Sequence, residues 1–210
     1  MRPEIVSFIG VIGSGKDFQA ETLRKSGYVR IDFKDELLNM ASDIAGYDVR
    51  EDYDWFKENI VGIRRPSNRF QEAFAFTDKR DMLLSNPEIM TGRRLLTRLG
   101  TETMRKRDKD YWVKQFVAKA KATLADGHGV VNADCRFLNE VESILDIPVA
   151  SQFRFCNYRS ERYNPVLAHA SERLAQALLR NGMKDMHVIR AEDFARAADV
   201  LGEKFARERV

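Results

Sequence analysis

The sequence predicts an α/β fold: a parallel sheet with helices on both faces and a helical insertion. Three observations carry that reading. Strand-like apolar runs alternate with segments of helical periodicity, the pattern of a sheet whose crossover helices cover it. The first run, Ile5-Val6-Ser7-Phe8-Ile9, opens directly into the glycine-rich stretch Gly10-Val11-Ile12-Gly13-Ser14-Gly15-Lys16. A later run, Gly129-Val130-Val131-Asn132-Ala133, leads into Asp134 and Arg136. Two strand ends therefore carry residues capable of chemistry, and ligands of such sheets sit at the carboxyl ends of strands.

The elements follow in order. After the strand near 4–9 and its loop, a helix is expected near 16–26, then a short strand at Tyr28-Val29-Arg30-Ile31. From Lys34 to Ala45, the residues Leu37, Leu38, Ala41 and Ile44 make one helical face. Residues 46–85 are the least regular, with Trp55, Phe56, Phe70, Phe74 and Phe76 among many charges, and read as an inserted helical region. Ser85-Asn86-Pro87-Glu88 predicts a helix start, with Ser85 as N-cap, running to Leu99 and stopping at Gly100. Thr101 then caps the next helix. A helix over 110–125 ends at Gly127, the strand 129–133 follows, and Phe137 to Leu145 is helical. Pro148 to Phe155 is a strand, 154–168 a lid-like polar loop, 165–180 a helix, His187-Val188-Ile189 a strand, and the chain closes on a helix. No repeat or low-complexity linker interrupts 1–210, which reads as a single domain.

Composition narrows the class. A chain of 210 residues with 44% hydrophobic content suits one soluble domain with a full core. No apolar stretch is long enough to span a bilayer, and the apolar start is too short for a signal sequence, so no membrane partner is expected. Cys135 and Cys156 show no metal spacing and read as reduced thiols of a cytoplasmic protein. Net charge is +3 from 35 basic and 32 acidic residues, interleaved, which gives no case for nucleic acid.

The loop from Gly10 to Lys16 has the layout of a P-loop, so the fold narrows to the P-loop three-layer class. Gly10, Gly13 and Gly15 permit backbone turns closed to other residues, and the loop amides then form an anion nest. The following helix turns its positive end to the same phosphates, and Lys16 adds a mobile charge for the β- and γ-phosphates. Where a Ser or Thr normally meets magnesium, this chain has Asp17. It is either a metal-side ligand or a group that positions the acceptor.

Three further clusters each have a structural alternative. Asp134 suits magnesium or its water, and Arg136 suits a phosphate; equally, Asp134 caps a helix and Arg136 makes a surface ion pair. In Gly92-Arg93-Arg94-Leu95-Leu96-Thr97-Arg98-Leu99-Gly100-Thr101-Glu102, Arg94 and Arg98 share a helix face opposite buried leucines. That face is either solvated or a wall for a second phosphate. Trp112 reads as core before it reads as a stacking platform for a base. Arg154, Arg159 and Arg162 flank the polar loop and form either a closing lid or a plain surface loop. A phosphate acceptor needs no general base at neutral pH, and cationic clusters without a base–nucleophile pair favour such an acceptor over an alcohol.

These motifs together resemble the phage-encoded deoxynucleoside monophosphate kinases, a branch of the P-loop nucleoside monophosphate kinases. Four segments carry the resemblance: Gly10 to Asp17 with its Gly-Lys-Asp ending, Arg93 through Glu102 to Tyr111-Trp112-Val113, Asp134-Cys135-Arg136-Phe137-Leu138-Asn139-Glu140, and His169-Ala170-Ser171-Glu172. The resemblance implies ATP-dependent phosphorylation of a dNMP with magnesium, in a host cytoplasm if phage-encoded. It places Gly10, Val11, Ile12, Gly13, Ser14, Gly15, Lys16, Asp17, Phe18, Arg159 and Arg162 around ATP. It places Arg94, Gly100, Thr101, Trp112, Asp134, Arg136 and Glu140 around the monophosphate. Lys16, Asp17, Arg136 and Arg154 would be catalytic, Asp17 and Asp134 the metal's ligands, and Arg154 with the basic loop after it the lid. Dimers are known among such enzymes, which leaves a homodimer open. The chain departs from the pattern at Phe18 and Gln19, where Thr is frequent, and at Thr97, where Gln is common. The alternatives are a kinase for another small phosphorylated metabolite and a P-loop ATPase acting on nucleic acid.

Overall fold

The computed structural model describes residues 4–10, 13–61, 90–149, 151–158, 177 and 186–190. In chain order the elements are β1 (Glu4–Gly10), α1 (Lys16–Lys25), β2 (Val29–Arg30), α2 (Asp35–Ala45), α3 (Tyr53–Glu58), β3 (Ile60–Val61) and β4 (Met90–Thr91). Then come α4 (Gly92–Thr97), a π-helical turn over Arg98–Arg105, α5 (Tyr111–Ala125), β5 (Val130–Cys135), α6 (Leu138–Leu145), β6 (Ser151–Tyr158) and β7 (Met186–Arg190). The chain divides into two compact units, Met1–Phe33 with Phe116–Val210, and Lys34–Gln115.

The first unit is a five-stranded sheet in the order β2-β5-β1-β6-β7. Every pairing in it is parallel. β1 lies at the centre and is buried on both faces, as its unbroken apolar run demands. On one face Val6, Phe8, Val131 and Ala133 pack against Ala20 and Leu23 of α1 and against Tyr28. Phe116 of α5 stacks on Phe33, with ring centroids 4.1 Å apart. Tyr28 also donates its hydroxyl hydrogen to Glu4 Oε1, and its ring lies so close to Gly129 that a Cβ there would meet it at 2.8 Å. The β1–β5 register is irregular: Ser7 pairs with Asn132, but Ile9 pairs with Cys135. The extra residue on β5 is a bulge, and Asp134 lies in it.

The second unit is helical with a two-stranded antiparallel β3–β4 ribbon. Its core gathers Leu38, Ala41 and Ile44 of α2, Phe56 of α3, Leu95, Leu99, Met104 and Trp112. The helical face predicted for α2 is thus the buried one, and Gly46, at φ 80°, ends the helix. Asp52 caps α3 by accepting the Trp55 N–H.

Several sequence-based boundaries move. The insertion expected at 46–85 is part of a longer unit, and residues 62–89, with the Ser85 cap, lie outside the described residues. Where that helix was expected to be under way, Thr91 pairs with Ile60 in a strand and then caps α4 by accepting the Arg94 N–H. Nor does the helix stop at Gly100, which lies inside the continuous π-helical turn together with Thr101. The i→i+5 spacing of that turn brings Leu99 and Met104 to the same buried side. β5 runs on through Asp134 to Cys135 rather than ending at Ala133, and β6 runs to Tyr158.

Two glycines separate close packing from backbone conformation. A Cβ on Gly92 would sit 2.1 Å from the Phe56 carbonyl oxygen, whereas Gly127 (φ 84°) has open space around it. Chemical denaturation should show Gly92→Ala losing about 3 kcal/mol or more, and Gly127→Ala only about 1 kcal/mol. Equal losses would contradict the packing described for Gly92.

Candidate functional site

The site is built where β1 gives way to α1. Gly13 and Gly15 have φ of 76° and 87°, left-handed conformations that side chains resist. Gly15 occupies the N-cap position of α1, and Gln19 N–H closes the first helical bond on its carbonyl. Gly10 is the last residue of β1, paired in register with Asn157. Val11 and Ile12 lie outside the described residues. Ser14 and Lys16 are buried, while Asp17 and Phe18 are exposed. The first-turn amides of α1 have no helical acceptors, so the loop offers backbone donors, a helix N-terminus and a lysine ammonium together. That donor set fits a polyphosphate.

A chain of polar contacts runs from this loop into the sheet. Lys16 Nζ lies 3.6 Å from Asp17 Oδ2. Arg30, at the end of β2, donates through Nη2 to Asp17 Oδ1 at 2.6 Å and through Nε to Asp32 Oδ2 at 3.0 Å. Buried Asp32 accepts the Ala133 N–H on Oδ1 at 2.9 Å. On β5, Asp134 Oδ1 accepts from Phe33 N–H at 2.8 Å and from Asn132 Nδ2 at 3.0 Å. The same Asn132 nitrogen donates to the Ile31 carbonyl, so one amide joins the ends of β2 and β5. Burial works against the charged form of Arg30, but Asp32 and then Asp17 outweigh it and hold its pKa above the ordinary value.

Beyond the bulge, Glu140 is buried and folds back on its own helix start. Its Oε2 accepts the Arg136 and Phe137 N–H groups at 2.7 and 3.0 Å, one half of a capping box. Arg136 is half-exposed. Asp134 is a residue of the strand, so the alternative in which it caps the helix gives way to Phe137 at that position.

The other predicted residues fall in the second unit or beyond the described residues. Arg94 is exposed and pairs with Glu102 Oε1 at 2.7 Å. Arg98, expected beside it on an open face, is buried, three residues after buried Leu95. Thr101 is exposed, and Gly100 packs against Leu37. Trp112 is a core residue, 3% exposed, and its indole N–H donates to the Gly100 carbonyl at 3.1 Å. Arg154 is inside β6, in register with Ser7 and Met186, and so belongs to the sheet rather than to a lid. Arg159, Arg162 and His169 lie outside the described residues.

For magnesium the fit rests on Asp17 and Asp134. Asp17 is the more open carboxylate, with a side chain 58% exposed, and magnesium commonly takes one or two carboxylates together with substrate phosphates. No group of three or more metal-ligating side chains occurs among the described residues. Sequence reasoning missed Arg30, Asp32 and Asn132. The available signal was that Asp32 follows β2 as Asp134 follows an apolar strand, with Arg30 two residues earlier on the same side.

No family model and no curated protein sequence matches the chain. Among solved structures, a dephospho-CoA kinase from Campylobacter jejuni superposes with a TM-score of 0.50 at 10% identity, covering 96% of this chain and 97% of that one. The chain has the P-loop three-layer fold. A sugar kinase from Janibacter sp. HTCC2649 matches at TM-score 0.39 and 12% identity, over 90% of this chain and 84% of that one. The Thermus thermophilus protein TT1252 matches at 0.40 and 18%, over 97% and 98%. No helix among the described residues is long and apolar enough to cross a membrane.

The thiol at the end of β5 supplies a pH test of this region. Burial, then the Glu140 and Asp134 charges, push the pKa of Cys135 well above 9.0. The folded state therefore keeps its proton at a pH where the unfolded chain loses it, so stability falls as pH rises past about 9, by up to 1.4 kcal/mol per unit. Denaturation from pH 8 to 10.5 should show this slope in the wild type relative to Cys135→Ala. Parallel pH profiles would contradict the burial.

Proposed function

We propose that the protein transfers the γ-phosphoryl group of ATP to a deoxynucleoside monophosphate, giving dNDP and ADP. One observation carries the phosphate half of this reading: Gly13 and Gly15 are left-handed around a buried Lys16 at the N-terminus of α1. The dNMP half is supported by the four resembling segments and by the absence of any need for a base when the acceptor is itself a phosphate.

In this reading an acceptor phosphate oxygen attacks the γ-phosphorus, the new O–P bond forms, and the bond to the bridging oxygen breaks, leaving ADP. The loop amides and Lys16 hold the β- and γ-phosphates and meet the charge that grows on the leaving oxygen. Magnesium, when bound, neutralises phosphate charge, and Asp17 and Asp134 are the residues that would hold it or its water. Arg136 supplies a cation for a second anion, since two phosphates otherwise repel. The proposed substrate contact of Glu140 acts through its helix start, where it holds the Arg136 backbone.

A coupled ADP-release assay over all common dNMPs and NMPs tests the proposal. It should find at least one dNMP stimulating ATP consumption, with Lys16→Ala lowering kcat more than about 100-fold. The panel includes dephospho-CoA, after which the Campylobacter jejuni neighbour is named. Turnover with that or another phosphorylated metabolite alone replaces the dNMP reading. DNA-stimulated hydrolysis without a phosphorylated product replaces the kinase reading altogether.

A further inference from the structure

We propose that Arg30 is a positioning residue whose task is to cancel and aim the Asp17 carboxylate, so that Lys16 stays available to a polyphosphate. This rests on the reading of the loop as a nucleotide site.

Asp17 poses a problem that a serine or threonine at its position would not. It sits in the first turn of α1, next to Lys16, so its charge faces the place where the phosphates bind. Left to itself, a carboxylate there would both repel the phosphates and compete for the lysine. Arg30 intervenes from the sheet. Its Nη2 lies 2.6 Å from Asp17 Oδ1, closer than the 3.6 Å between Asp17 and the Lys16 ammonium. The guanidinium in turn meets Asp32 Oδ2 through Nε and Nη2, at 3.0 and 2.8 Å.

Asp32 is the anchor. It is buried, it accepts the Ala133 N–H, and Ala133 belongs to the strand beside β1. The planar fork of arginine suits this bridge between two carboxylates, where a lysine would contribute a single point charge. The formal charges of Lys16, Asp17, Arg30 and Asp32 sum to zero. Without Arg30 the group carries a net negative charge at the mouth of an anion site.

A tie of β2 to α1 that served stability alone would involve the same atoms, so the test separates the two roles by removing the problem as well as the solution. Binding of ATP without magnesium to the full chain, so that no metal contact of Asp17 enters, is measured by titration calorimetry for the wild type, Arg30→Gln, Asp17→Ser and the double variant. Arg30→Gln should weaken binding about ten-fold, the effect of one uncancelled charge a few ångströms away. The double variant should recover to within about two-fold of Asp17→Ser alone, because with the carboxylate gone there is nothing to cancel.

Equal weakening by Arg30→Gln in both backgrounds, or none in either, overturns the inference. If Arg30→Gln does not fold, Arg30→Lys takes its place, with a smaller weakening that Asp17→Ser again relieves. Wild-type protein that binds no ATP overturns the nucleotide reading and this inference together. Wild-type binding that Arg30→Gln leaves unchanged overturns the inference alone.

Discussion

A lysine ammonium buried at a helix start has to keep negative charge nearby without being captured by it. Much of the first unit can be understood from that constraint. Lys16 is 6% exposed, too buried to rely on water, and Asp17 is its neighbour at 3.6 Å. At that distance the two attract without the short hydrogen bond that would lock them together. The tighter claim on Asp17 is made by Arg30, and Arg30 is itself fixed by Asp32. Energy is concentrated at the buried end: Asp32 is 5% exposed, whereas Asp17 is largely in solvent, where an ion pair is worth about 1 kcal/mol at most. The strength of the arrangement therefore comes from the sheet, and its adjustability from the loop.

The same sheet edge shows why an amide stands in the interior of a parallel strand. β5 reads Val-Val-Asn-Ala-Asp-Cys, and every one of those residues is buried. An interior polar side chain is tolerated where its donors are used. Asn132 uses its Nδ2 twice, on Ile31 O and Asp134 Oδ1. The bulge between Asn132 and Cys135 lets Asp134 accept the Phe33 N–H, so that two strand ends are fastened at one carboxylate. Ser7 lies beside Asn132 in register, and the backbone of Arg154 lies beside Ser7 on its other side. Ser7 and Asn132 thus set two polar residues side by side where β1 meets β5.

Legibility in the sequence followed the range of the interactions. The glycine loop, the strand before it and the helix after it were readable because strand periodicity, left-handed glycines and a helix start are local features. The apolar face of α2 was readable for the same reason. Arg30 and Asp32 were not, since their importance comes from Asp17 and Ala133, residues distant in sequence. The course of the chain around Gly100 was misread because glycine commonly ends a helix. Here it is used inside one, where Leu37 packs so close that a Cβ would meet its Cδ2 at 3.3 Å. The strand expected at Pro148–Phe155 is present but runs on to Tyr158, so the stretch 154–158 that overlapped the expected lid belongs to the sheet.

The π-helical turn in the second unit solves a packing problem. A regular α-helix through Leu95, Leu99 and Met104 would rotate Met104 away from the core. The wider turn keeps it inside. Trp112 then closes the arrangement by donating its indole N–H to the Gly100 carbonyl. That use of Trp112 accounts for its burial without any ligand. Arg94, by contrast, remains on the outside with Glu102. A surface pair of this kind stabilises the fold by about 1 kcal/mol at most.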